Sequence, residues 1–479
     1  MTKPPILFAS FAVSLIASAA LAAAPPADDF GDRFTGKTLR FDYFHSGTKG
    51  EERISLDEVR LEGEWPGSRR RLVDELGLGS YLFEVVDAAT DRAIFSRGFD
   101  GIFGEWQTTG EAAARTWRTF HESQRFPEPR GDVRLVLKRR TALDRLETIF
   151  AQPFRSTEQR VNRSPREPRG TVSAVFQNGD SATKLDLLVM GDGYTTGEQD
   201  KFHGDTRRLV AILFDTEPFR SRRMDFNVWS VHVAAAASGI SDPRRGRWLD
   251  SPLGFRSNAF GIDRYALSNE NRAIHDAAAA APHDSLVVIT NTSKHAGGGI
   301  YNLWANAPAD SPTAAYVFVH ELGHSLAGLA DEYYSADVAY LPTQRPVEPI
   351  SPNVTALADP AKLKWRELVS PGTPLPTPWN QAAYDRVMND HQTKIRELEA
   401  RAASTEEIQA RYRDLKVAAG PLLAAEQFAG KIGAFEGASY QAHGLFRPEL
   451  DCIMFSQNRG AFCRVCTQAI ERAIRQHGE

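Results

Sequence analysis

The chain has 479 residues, with 57 basic and 61 acidic side chains, a formal net charge of −4, and 42 % hydrophobic and 25 % charged residues. That is ordinary globular composition, in a length that suits about two or three domains. The near-balance of charge argues against a nucleic acid or an anionic membrane surface as partner.

In chain order, Lys3 precedes an apolar run from Ile6 to Ala24. Ala20-Leu21-Ala22 and Ala22-Ala23-Ala24 at its end both fit an A-x-A cleavage site. The run is nearly long enough to stay as a membrane anchor, but its crowd of small residues favours removal. Residues 1–24 are therefore expected to be a signal peptide. The mature chain is expected to be exported, periplasmic or secreted, with no membrane span.

Residues 25–154 read as strands. Thr38–Phe44 and Val133–Lys138 alternate polar with apolar, and Tyr81–Val86 and Ala93–Ser96 flank a turn. Such period-2 runs between turn residues predict an N-terminal antiparallel β-sandwich. Residues 155–178 read as a linker. Arg155, Arg160, Arg163, Arg166 and Arg169 fall there with Pro165, Pro168 and Gly170 and no apolar period.

From residue 179 to 479, strands and helices alternate, which predicts an α/β catalytic domain. Leu185–Met190, Phe226–Val233 and Ser285–Thr290 read as strands, with a helix over 202–214. Residues 384–418 read as a charged helical insertion whose apolar seam is too sparse for an oligomerising coiled coil.

Ser311-Pro312 reads as a helix start, with Ser as N-cap and Pro in the first turn. Ala314 to Ala327 then continues without proline. His320 and His324 are four apart and project from one face, so two neutral imidazoles can share one zinc ion. Glu321, beside them, can take a proton from zinc-bound water. A Gly-rich edge, Gly297-Gly298-Gly299-Ile300, precedes the helix and can pair with an extended peptide. A catalytic zinc needs a third protein ligand. Gly328 can end the helix and return the chain, which makes Asp331 the first choice and Glu332 the alternative third ligand. Among the later histidines His443 is the main alternative ligand, with an ordinary surface role expected for it.

All three cysteines, Cys452, Cys463 and Cys466, lie near the C-terminus. Cys463-x-x-Cys466 stands alone, and neither a second CxxC nor a neighbouring His pair completes a structural zinc site. The expectation is a disulfide between Cys452 and one of the other two.

The run His320-Glu321-Leu322-Gly323-His324-Ser325-Leu326-Ala327-Gly328-Leu329-Ala330-Asp331-Glu332-Tyr333 resembles the signature of the IgA peptidase family of zinc metallopeptidases. Gly191-Asp192-Gly193-Tyr194, Gly298–Asn302, Phe435-Glu436-Gly437-Ala438, Arg447-Pro448, Cys452-Ile453-Met454 and Phe462–Cys466 look like the same family. The resemblance implies a metzincin-like zincin domain, in which Met454 occupies the methionine turn as an apolar floor under the ligands. Gly328 and Asp331 fall one residue later than in the metzincin pattern. The functional expectation is an exported zinc peptidase, with zinc-activated water as nucleophile, Glu321 as general base and a peptide or protein as substrate. A zinc amidase acting on cell-wall peptides and a catalytically silent binding protein are the competing readings.

Overall fold

The computed structural model describes residues 30–335, 338–339, 347–401, 403–457 and 460–478. The expected signal peptide, residues 1–24, lies outside them. The fold is mixed α/β with several sheets. Among the described residues no helix is long and apolar enough to cross a membrane.

The N-terminal region holds β1 (Phe34–Gly47), β2 (Glu52–Glu64), β3 (Tyr81–Asp87), β4 (Ala93–Phe99), β5 (Arg118–Pro129), β6 (Val133–Arg140), β7 (Leu146–Phe154) and β8 (Val161–Asn162). They form two four-stranded sheets, in the orders β5-β1-β2-β8 and β4-β3-β6-β7. Alternate residues turn inward. Leu39, Phe41 and Tyr43 of the first sheet share one core with Phe83, Val85, Phe95, Leu135 and Leu137 of the second, and the Phe41 and Phe83 rings stack 6.0 Å apart.

Residues 155–178 are not a bare tether. They supply β8, parallel to β2, and β9 (Thr171–Phe176), antiparallel to the strand at Phe226–His232. Their arginines find acids on both sides: Arg163 pairs with Glu128 at 2.7 Å, and Arg166 pairs with Asp276. Composition alone marks such a segment as unstructured because its partners are far away in sequence.

The second region is built on β10 (Leu185–Asp192), β11 (Phe226–His232), β12 (Ser285–Thr290), β13 (Gly298–Ile300) and β14 (Trp304–Pro308). With β9 they form a six-stranded sheet in the order β13-β14-β12-β10-β11-β9. Four central strands run parallel, and the edge strands β13 and β9 run antiparallel to their neighbours. Both faces are covered, so β10 and β12 are buried along their whole length and mostly apolar. Leu187, Val189, Val287 and Ile289 face one core, with Leu209 and Leu213 of the helix Gln199–Asp215 and Val317, Phe318, Leu322 and Leu326 of the helix Ala314–Ala327. Leu188, Met190, Leu286 and Val288 face the other, with Ile274 of the helix Asn271–Ala278 and Phe103, Trp106 and Phe120 from the N-terminal region.

The charged segment read as one insertion is two helices, Gln381–Ala400 and Thr405–Ala424. Ser404 caps the second: its hydroxyl accepts from the Glu407 amide while the Glu407 carboxylate returns to the Ser404 amide. Tyr384, Ala419 and Leu423 seat the pair on the same core as the Ala314–Ala327 helix. The short strands β15 (Phe435–Ala438) and β16 (Gln441–Arg447) and the helix Arg464–His477 complete the chain.

Candidate metal centre

The helix Ala314–Ala327 begins three residues after Ser311, with Thr313 at the cap position. Ser311 still serves its start, because its hydroxyl accepts from the Thr313 amide and its carbonyl from the Ala314 amide. Phe318, Leu322 and Leu326 pack into the core with the sheet. Another face carries His320, Glu321 and His324. The helix stops where Gly328 takes φ +60°, a left-handed conformation that costs other residues roughly 1–2 kcal/mol. The chain then doubles back and brings Asp331 over the two histidines.

Three donor atoms converge there. His320 Nε2 lies 3.0 Å from both His324 Nε2 and Asp331 Oδ1, and His324 Nε2 lies 3.3 Å from the same oxygen. Ligands around a tetrahedral zinc at usual bond lengths sit about 3.3 Å apart. The far side of each ring is held by backbone. His320 Nδ1–H donates to the Ile453 carbonyl at 3.0 Å, and His324 Nδ1–H donates to the Leu329 carbonyl at 2.5 Å. With those protons on Nδ1, each Nε2 presents a lone pair to the common point, the arrangement typical of metal-ligating histidine. This group can therefore hold one metal ion.

The groups of the cluster shift one another's protonation. Burial would raise the Asp331 carboxyl, yet the facing imidazoles hold it well below the usual carboxylate range. Burial likewise works against protonating His324. The charge of Asp331 and its hydrogen bond outweigh that, helped by Glu321 and the Leu329 carbonyl, and lift it to about 9. Glu321 is pushed up by burial. Asp331 Oδ2 accepts from the Tyr440 hydroxyl, and the Ser439 amide donates to the Asp331 carbonyl at 3.0 Å.

Glu321, His324 and Asp331 open on a cleft of about 340 Å³. Gly297, Gly298 and Gly299 line its side, and Arg264, Tyr333 and Tyr440 line another. Asp100, Glu105 and Thr108 reach it from the N-terminal region. The glycines are needed because β13 lies directly on the helix. A Cβ at Gly299 would stand 2.3 Å from the Glu321 carbonyl oxygen, and one at Gly297 3.0 Å from Glu321 Oε1.

Met454 is fully buried under the helix, where a Cβ at Gly323 would come within 3.2 Å of its sulfur. Glu332 goes elsewhere. Its amide donates to the Met454 carbonyl at 2.8 Å, and its buried carboxylate accepts from Asn353 at 3.0 Å and from the Cys466 thiol at 3.1 Å. His443 is exposed, 3.5 Å from Glu436. The expected disulfide is not formed: Cys452, Cys463 and Cys466 are free and buried. Their sulfurs gather beside the Glu332 carboxylate, and Cys452 Sγ and Cys466 Sγ stay 3.8 Å apart.

Tyr440, Arg264 and the Ile453 and Leu329 carbonyls carry no motif. Tyr440 (φ +62°) follows Ser439 (φ +46°) in a turn that aims its ring at Asp331, and nothing in the local spacing announces it.

Residues 174–474 match the family model described as IgA Peptidase M64, and residues 29–151 match the one described as Peptidase M64 N-terminus. No curated protein matches the chain.

Proposed function

Because this chain belongs to the IgA peptidase M64 family and so is a peptidase, we propose that it uses zinc held by His320, His324 and Asp331, with Glu321 as general base. The observation that carries this reading is the meeting of three donor atoms beside Glu321 at the floor of a cleft. Bound zinc would supply Lewis acidity toward the scissile carbonyl and lower the pKa of a water in the position left open.

The chain's own residues supply the rest. Glu321, raised by burial, is suited to take a proton from the attacking water and return it to the leaving amine. The Ile453 and Leu329 carbonyls keep both imidazoles in the ligating tautomer. Tyr440 engages one carboxylate oxygen of Asp331 and leaves the other for the metal. Met454 gives the ligands an apolar floor. Strand β13, lying on the helix at the sheet edge, can receive an extended peptide and carry its carbonyl past Glu321.

In this reading residues 179–479 form a metzincin-like zincin domain with the helical insertion at 384–418. Residues 25–154 form an antiparallel sandwich joined through 155–178. Residues 1–24 are a removed export signal, which places the enzyme in the periplasm or outside the cell.

A cleavage profile on proteome-derived peptides tests the function. Cleavage that a chelator abolishes and zinc restores is the expected result. Activity confined to cell-wall fragments would replace it with the amidase reading. A zinc-loaded protein inert on both would be a binding protein.

A further inference from the structure

The second cluster lies behind the first. Cys452, Cys463, Cys466 and Glu332 bring one donor atom each to within 4.8 Å of the others, and all four side chains are buried. Cys452 Sγ and Cys466 Sγ are 3.8 Å apart. Two thiolates on a tetrahedral zinc at usual Zn–S lengths are separated by about 3.8 Å, whereas a disulfide brings its sulfurs to about 2.05 Å.

Two independent features point to a ligand at the centre. The first is the set of amides aimed at sulfur. Cys463 caps the helix Arg464–His477, and its sulfur accepts from the Cys466 amide at 3.4 Å. Cys452 Sγ accepts from the Cys463 amide at 3.2 Å. Amide donors to sulfur stabilise the thiolate over the thiol, and thiolate is the form that binds metal. The second is the carboxylate. Glu332 is 0 % exposed, and its Oε2 has no hydrogen-bond partner among the described residues. A buried acceptor left without a partner is costly, and a metal ion is one thing that would satisfy it.

We propose that Cys452, Cys463, Cys466 and Glu332 form a second zinc site. Three sulfurs and one oxygen make a closed set of four, with no position left for water or substrate, so the site is structural. The cation replaces the three thiol protons, and those protons leave to solvent. The position in the fold says what it holds. Glu332 follows Asp331, and Cys452 precedes Ile453, whose carbonyl orients His320. Cys463 and Cys466 begin the last helix. One ion would thus pin the Asp331 loop, the methionine segment and the C-terminal helix behind the histidine cluster. This proposal does not depend on metal at the histidines.

The test is metal content of the purified full-length chain, read alongside cobalt substitution. Wild type should carry two zinc ions per chain. The double variant His320→Ala/His324→Ala should keep one, and its cobalt form should show thiolate-to-cobalt charge transfer. Cys463→Ser should lose that ion and that absorption. Glu332→Gln, which preserves shape but not the anionic ligand, should release it to chelator faster. A histidine double variant that holds no zinc, or that shows a Cys452–Cys466 disulfide by non-reducing peptide mapping, would overturn the proposal. A double variant that still carries two ions would count against the histidine site instead, so the two readings fail separately.

Discussion

Asp331 and Glu332 are neighbours in the chain and send their carboxylates to opposite clusters. Asp331 joins two imidazoles at the floor of a cleft, where one side is open and Glu321 and Tyr440 are within reach. Glu332 joins three sulfurs, all four side chains buried, and accepts from Asn353. Both clusters gather possible metal-ligating donors, yet only the first opens on a cleft with room for a reacting molecule. The difference teaches that donor type and burial do not by themselves mark a catalytic centre. What separates the two is the cleft beside the histidines and the Glu321 carboxylate that lines it.

The sharpest way to break the comparison is to exchange the roles of the adjacent acids. Asp331→Ala should strip metal from the histidine cluster and abolish peptide cleavage, measured as zinc per chain after mild chelator dialysis and as turnover. Glu332→Ala should leave metal at the histidines. It leaves the buried Asn353 amide without its acceptor, so it should lower unfolding stability by about 1–3 kcal/mol in denaturant titration. The reverse pattern, with zinc lost at the histidines only from Glu332→Ala, would mean the two carboxylates are misassigned.

Tyr440→Phe removes the hydroxyl on Asp331 Oδ2 without touching the donors. Loss of an outer partner of this kind typically costs about 10–100-fold in metal affinity or activity. A competition titration with a chromophoric chelator, together with turnover, should show a loss in that range and less than that of Asp331→Ala. Gly328→Ala forces a side chain into φ +60° and should cost about 1–2 kcal/mol of stability. Thermal unfolding with and without zinc reads it. At the small end, His443→Ala should shift stability by less than about 0.5 kcal/mol and leave zinc content unchanged, because its side chain is exposed beside Glu436.

These contrasts follow how the two clusters are written in the sequence. His320 and Asp331 are 11 residues apart, on one helix and the turn that ends it. Helical periodicity and one glycine therefore suffice to bring them together on paper. Glu332 and Cys466 are 134 residues apart. Their meeting depends on how the final helix docks on the helix Ala314–Ala327, which no local pattern encodes. The lone CxxC therefore looks incomplete in the sequence and is completed only in space. The same distinction runs through the fold. Strands β10 and β12 and the helix Ala314–Ala327 are visible because each buries a regular apolar pattern. Strands β8 and β9 are hidden in an arginine-rich stretch, because what orders them is pairing with β2 and β11 and ion pairs to Glu128 and Asp276.

The central claim is that the cleft-side cluster holds a catalytic metal with Glu321 as its base. Glu321→Gln tests it most directly, because it keeps every donor atom and removes only the carboxylate that moves the proton. Zinc per chain and turnover on a cleavable peptide should be measured on the same preparation. The account predicts zinc content equal to wild type, with turnover lower by roughly a hundredfold to ten-thousandfold. Turnover equal to wild type at full zinc loading would contradict it.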